Sequence, residues 1–186
     1  HEMCKAFSGL LLYESESAWE LYTPWETDSH EIMIAARGLV DDGDPKLRRW
    51  CRVEYVPADR RYDDPDAYVL TVDGDAPIWW TNELHAAVAA EWRSRVERMM
   101  VRDKRYVLLS GQYIICDGAD VGVSIAASLV ILGGTVQAIR GGTVQEIRGG
   151  TVQEIRGGTV QEIWGGTVQS ILGGTVQAIR GGMVVN

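Results

Sequence analysis

Cationic side chains are in short supply. The chain sets 18 Lys and Arg against 26 Asp and Glu, a formal net charge of -8. Binding to a phosphate backbone rests on clustered cations, so nucleic acid is not expected as a partner. Cysteine is scarce as well. Cys4, Cys51 and Cys116 are an odd set at wide spacing, with no CxxC pair and no Cys/His cluster of zinc type. That pattern predicts no disulfide framework, no metal and no cofactor, and reads as reduced thiols in a cytoplasm. Long apolar runs are missing too. The longest uncharged apolar stretch, residues 121–132, is interrupted by Gly122 and Ser124 and is far short of the roughly 20 residues of a spanning helix, so no membrane partner is expected. No charged-then-apolar signal segment opens the chain, and His1 and Glu2 before Met3 read as a tag remnant ahead of an initiator. The expectation is a protein that is not secreted.

What the chain does have is 46% hydrophobic residues over 186 positions, enough for a buried core without staples, and a repeat of fixed period. The unit is GGTVQxIx. It reads GGTVQAIR from Gly133, GGTVQEIR from Gly141 and Gly149, GGTVQEIW from Gly157, GGTVQSIL from Gly165 and GGTVQAIR from Gly173, followed by GGMVVN from Gly181. Seven glycine pairs use 14 of the 21 glycines.

Two adjacent glycines per octad cost about 2 kcal/mol relative to alanine in a helix, and Thr, Val and Ile add β-branched penalties. Collagen needs period three and a coiled coil period seven. The remaining architecture is a β-solenoid, with TVQxI as strands and Gly-Gly at the corners. Its predicted core is Val136, Val144, Val152, Val160, Val168 and Val176 with Ile139, Ile147, Ile155, Ile163, Ile171 and Ile179. A Val-to-Ile spacing of three demands a bend within the strand. The second glycine of each pair is expected to point inward where only a minimal side chain fits. Two octads per coil is the preferred closure, which stacks Glu146 over Glu162; three per coil is the alternative.

The octads, together with MCKAFSGLLL from Met3, TDSHE at 27–31, RVEYVPAD at 52–59 and DGADVG at 117–122, resemble phage and bacterial proteins that carry an MCKAF-type amino-terminal domain before a C-terminal octapeptide-repeat β-solenoid. The resemblance spans nearly the whole chain. It implies that architecture and a phage or bacterial origin, hence the cytoplasm of a bacterial host cell, and it implies no activity.

Residues 4–104 read as a small α/β head that caps the solenoid, 105–132 as transition strands that pair, and 133–186 as the solenoid. Within the head, 4–13 is apolar enough for a buried strand, and 50–56 and 67–72 alternate as strands. Asp28 with Glu31 matches a capping box for a short helix ended by Gly38, and 82–103 reads as a long helix with Thr81 as N-cap and Leu84, Val88, Trp92, Val96 and Met100 on one face. Trp79 and Trp80 precede it as a packing pair. The head also holds the acidity, at -9 before Gly133 against +1 after it.

A repeated surface without a convergent catalytic set predicts a non-enzymatic structural or interaction protein. Its expected partner is itself, in an end-to-end homodimer through the apolar Met183, Val184 and Val185, with a host or phage protein as a further partner. The alternative is an amino-terminal-cysteine hydrolase or transferase. There Cys4, exposed by removal of Met3, attacks with its own amino group as base, His30 and Asp28 complete the set, and the solenoid is an oligomerisation stalk.

Overall fold

A computed structural model of the chain describes residues 7–185. Cys4 lies outside them. They form two compact units, residues 7–97 and 98–185, divided in the last turn of a helix.

The first unit contains β1 (Phe7–Ser15), β2 (Ala18–Tyr22), α1 (His30–Ala36), β3 (Trp50–Pro57), β4 (Tyr68–Val72) and most of α2 (Asn82–Met99). Its sheet has the order β2-β1-β3-β4, and every pairing is antiparallel. The alternation read in β3 is real, since Val53, Tyr55 and Pro57 are buried while Arg52, Glu54 and Val56 are only half-buried. β2 was not foreseen. Only Leu21 of its five residues is buried, so it carries no apolar period, and its place comes from the hairpin that sets Leu11 opposite Leu21. Trp92 of α2 is fully buried, 5.6 Å from the ring of Tyr55 and 6.1 Å from that of Phe7. A Cβ on Gly9 would lie 3.3 Å from the Trp92 ring and 2.8 Å from the Thr23 methyl, so the close approach at β1 needs glycine.

Both helices are bounded by side-chain and backbone caps. Thr81 caps α2, its hydroxyl accepting from the Leu84 amide at 3.2 Å, and Leu84, Val88, Trp92 and Val96 form the buried face. The helix ends at Met99, four residues before the expected end, because Met100 and Val101 are already a strand: the Val101 carbonyl accepts from the Cys116 amide. The cap of α1 is Ser29, not Asp28; its hydroxyl accepts from the Ile32 amide, while Asp28 stays exposed. At the other end Gly38 adopts a left-handed φ of 63°. That lets the Leu39 amide reach the Ile34 carbonyl and the Gly38 amide reach that of Ala35, a Schellman closure sealed by Leu39 against the Ile34 cluster.

The second unit is a parallel β-solenoid of about five turns. Its strands are β5 (Met100–Val101), β6 (Lys104–Leu108), β7 (Gln112–Ile115), β8 (Asp120–Ser124), β9 (Ser128–Ile131), β10 (Thr135–Ile139), β11 (Thr143–Ile147), β12 (Thr151–Ile155), β13 (Thr159–Ile163), β14 (Thr167–Ile171), β15 (Thr175–Ile179) and β16 (Met183–Val184). They alternate between two six-stranded sheets, β16-β14-β12-β10-β8-β6 and β15-β13-β11-β9-β7-β5. Thr135 pairs with Thr151 and Thr143 with Thr159, sixteen residues apart, so a rung is two octads. The segment 105–132 belongs to the same stack. β6 pairs in parallel with β8, and β7 with β9, rather than with each other.

The register puts Val and Ile inside. Val136, Val144, Val152, Val160 and Val168 and Ile139, Ile147, Ile155 and Ile163 are buried in one continuous core. Thr, Val, the variable residue and Ile pair across β10 and β12 while Gln137 drops out of the paired register, which is the bend that the Val-to-Ile spacing requires. The glycine pairs are constrained by the rung beneath rather than by the core. A Cβ on Gly141 would stand 2.4 Å from the Ile125 carbonyl oxygen, and one on Gly142, whose φ is 79°, would stand 2.2 Å from that of Ala127. Corner hydrogen bonds follow from that approach, with the Thr151 amide 2.9 Å from the Gly134 carbonyl and the Arg156 amide 2.7 Å from that of Ile139.

Two stability outcomes follow from this register. Val152→Asp places an unpaired carboxylate in the core and is expected to cost several kcal/mol, on the order of 4, in denaturant unfolding, against about 0.5 or less for Gln153→Asp on the exposed side. Equal costs would contradict the register. Ser124 stands in the Ile column, opposite Ile139, with its hydroxyl fully buried and unpartnered. Ser124→Ala is expected to raise stability by about 1 kcal/mol, and a loss would show that the hydroxyl is satisfied.

Candidate functional site

Of the catalytic alternative, His30 and Asp28 are among the described residues and Cys4 lies outside them. His30 is buried, with Nε2 3.4 Å from the Val53 carbonyl and Nδ1 3.6 Å from an Asp73 carboxylate oxygen. Asp73, just past β4, therefore faces the imidazole where Asp28 was expected, and the ring fastens α1 to the sheet. Cys51 is buried and burial alone pushes its thiol up to about 12, so it holds no thiolate at neutral pH. Cys116 is also buried, its thiol 3.6 Å from the Ile114 carbonyl. No group of three or more His, Cys, Asp or Glu side chains suited to a metal occurs among the described residues. Trp79 is committed to packing: it stacks on Tyr13 at 4.3 Å with rings 2° from parallel, and its indole donates to the Arg48 carbonyl.

The unsatisfied surface lies on the solenoid. Along the stack the core columns are closed as far as Val168, but Ile171, Val176 and Val184 are only half-buried and Ile179 is 55% exposed. Met183 is 59% and Val185 47% exposed. Among the described residues β15 and β16 stand last in their sheets, each paired on one side only, so this rung offers strand edges around a partly exposed apolar column. Neither the Val nor the Ile column of that rung carries a charge. Arg180 leaves the core and bonds outward to Glu162 at 3.1 Å, with its guanidinium 5.2 Å from the Trp164 ring.

The outer faces carry ion pairs that run along the strand. Glu146 does stand over Glu162, a like-charge contact, yet each has its own cationic or donor partner: Arg148 for Glu146, and Trp164 and Arg180 for Glu162. Arg156 donates to Glu154 at 2.6 Å. Two repeat glutamines donate to non-repeat residues in the rung before, Gln137 to Asp120 and Gln145 to Ser128.

The Arg156 hydrogen bond holds the Glu154 carboxyl below its ordinary range, helped by the charges of Arg156 and Arg140. In a carboxyl NMR titration Glu154 is expected to titrate below the ordinary Glu value and Arg156→Gln to raise it. The pair's small stabilising effect is then present above the ordinary Glu range and lost as pH falls through the lowered value. An unchanged midpoint in Arg156→Gln would contradict the pairing. Comparison with protein-family models, curated proteins and solved structures finds no match to this chain.

Proposed function

We propose that the chain is a structural and interaction scaffold of phage or bacterial origin, working in a reducing cytoplasm and self-associating through the final rung of its solenoid. The single observation that carries the reading is the open end of the core. Stacked rungs bury Val and Ile almost completely through Val168, and the same columns then surface at Ile179 and Val184, flanked by the exposed Met183 and Val185, beside two strand edges that are paired on one side only among the described residues. A surface of this kind is stabilised by another β-edge with an apolar column. A second copy of the same end supplies both, and a two-fold axis across the seam pairs the edges antiparallel in a contact that closes on itself. The octad resemblance supports the origin, the buried free thiols of Cys51 and Cys116 fit the compartment, and a host or phage protein is the further partner such a scaffold serves.

Light scattering on the wild type and on Val184→Lys tests the reading. The wild type is expected to be a dimer at tens of micromolar. Val184→Lys is expected to be a monomer, since at a symmetric seam the introduced charge meets its own copy. A monomeric wild type, or a dimer that survives the substitution, would overturn it.

A further inference from the structure

Three exposed aspartates stand directly before a glycine: Asp42 before Gly43, Asp73 before Gly74 and Asp117 before Gly118. The glycines have φ of 68°, 96° and 86°. Such a pair carries its own chemistry. With no side chain on the following residue, its amide nitrogen is free to reach the aspartate Cγ and close a succinimide. Whether it does so in a folded chain depends on the freedom of that peptide and on a proton for the departing oxygen.

The fold treats the three pairs differently. Arg48 clamps the first, donating from Nε to the Asp42 carbonyl at 3.0 Å and from Nη2 to the Gly43 carbonyl at 3.3 Å. The third is closed in a turn by the Ala119 amide on the Cys116 carbonyl at 3.2 Å, and a Cβ on Gly133 would stand 1.8 Å from Asp117 Oδ1, so that carboxylate is seated against the next corner. Asp73 marks the end of its ladder, its amide donating to the Arg52 carbonyl at 3.0 Å. The next amide held is that of Ile78, on the Lys46 carbonyl, and among the described residues 74–76 make no backbone hydrogen bond. A Cβ on Gly74 would meet nothing within 4 Å. Only this pair also has a proton source at hand. His30 Nδ1 is 3.6 Å from Asp73 Oδ2 while Nε2 faces the Val53 carbonyl, so both ring nitrogens face acceptors and the imidazolium donates to both.

We propose that Asp73–Gly74 is a self-modification site, where the chain isomerises Asp73 to isoaspartate with His30 as proton donor and thereby undoes its own fastening of α1. The Gly74 nitrogen bonds to Cγ. Its proton and one from His30 Nδ1 leave with a carboxylate oxygen as water. Water then opens the imide at the former backbone carbonyl, a proton returns to solvent, and the mass is unchanged. In the product the backbone is one carbon longer and the free carboxylate sits directly on Cα, one carbon shorter in reach, so it leaves the imidazole.

The test ages the full chain, warm and at neutral pH, and reads isoaspartate at residues 42, 73 and 117 by electron-transfer dissociation of its peptides. In the native chain residue 73 is expected to convert several times faster than the other two, and in urea the three rates should converge. His30→Gln, shown to be folded by circular dichroism, should remove the lead of residue 73. Hydrogen exchange of the α1 amides should quicken in step with conversion at 73. The native-against-urea comparison needs no variant. No lead in the native chain, or a lead that persists in urea, overturns the site. A lead that survives in His30→Gln overturns the proton donor, and conversion without faster exchange in α1 overturns the release.

Discussion

Backbone-on-backbone contact at the corners is the constraint on which the solenoid depends. A rung can sit about 4.8 Å above the last only if nothing projects between them. At every repeat corner after the first a Cβ on either glycine would come within 2.8 Å of a carbonyl group in the preceding rung, at Gly133 it would run into the Asp117 side chain, and the second glycine also holds a left-handed φ. Any other residue fails on space at the first position and on both space and conformation at the second. The glycine pairs are therefore the hinge that lets the chain turn and the clearance that lets it stack.

Once that contact is made, much else is fixed by translation. Identical positions fall into columns, Val and Ile close a core that no single octad could bury, and the Glu-Arg pairs repeat on the outside with the stack. Translation also creates the difficulty, since a column has two ends. A repeat protein must hide, blunt or use each of them. In one sheet the first rung has Lys104 and Arg105 at the register positions where the final rung has Met183 and Val184.

The sequence speaks clearly where the repeat is strict. The octad period, the exclusion of helix and the Val and Ile core follow from glycine spacing and β-branched composition, while the two-octad rung, preferred over three octads per coil, is fixed by the sixteen-residue pairing. The sequence reads 105–132 as strands but not as rungs of the same stack, because those rungs turn without glycine pairs, at Gly111 and Gly118 among others, and their columns mix Leu, Ser, Arg and Val. In the first unit the long helix was legible from its four-residue apolar steps, whereas β2, with one buried residue, had no period to find. Asp73 lies 43 positions from His30, and only the pairing of β3 with β4 brings the two together. The placement of Ser29 rather than Asp28 at the cap differs by one residue, a choice between two good capping side chains that sequence leaves open.

The claim at the centre of this account is that two stacks meet at their final rungs. Electron–electron dipolar spectroscopy with a single nitroxide per chain, placed in turn at Gln145, Gln161 and Gln177, measures it directly. These sites occupy the same octad position on β11, β13 and β15, successive rungs of one sheet. Across a two-fold seam each step away from the end moves both labels, so the distance between copies should be shortest at Gln177 and lengthen by about 10 Å per rung. Absence of an intermolecular signal at all three sites, or distances that do not lengthen from Gln177 to Gln145, would contradict it.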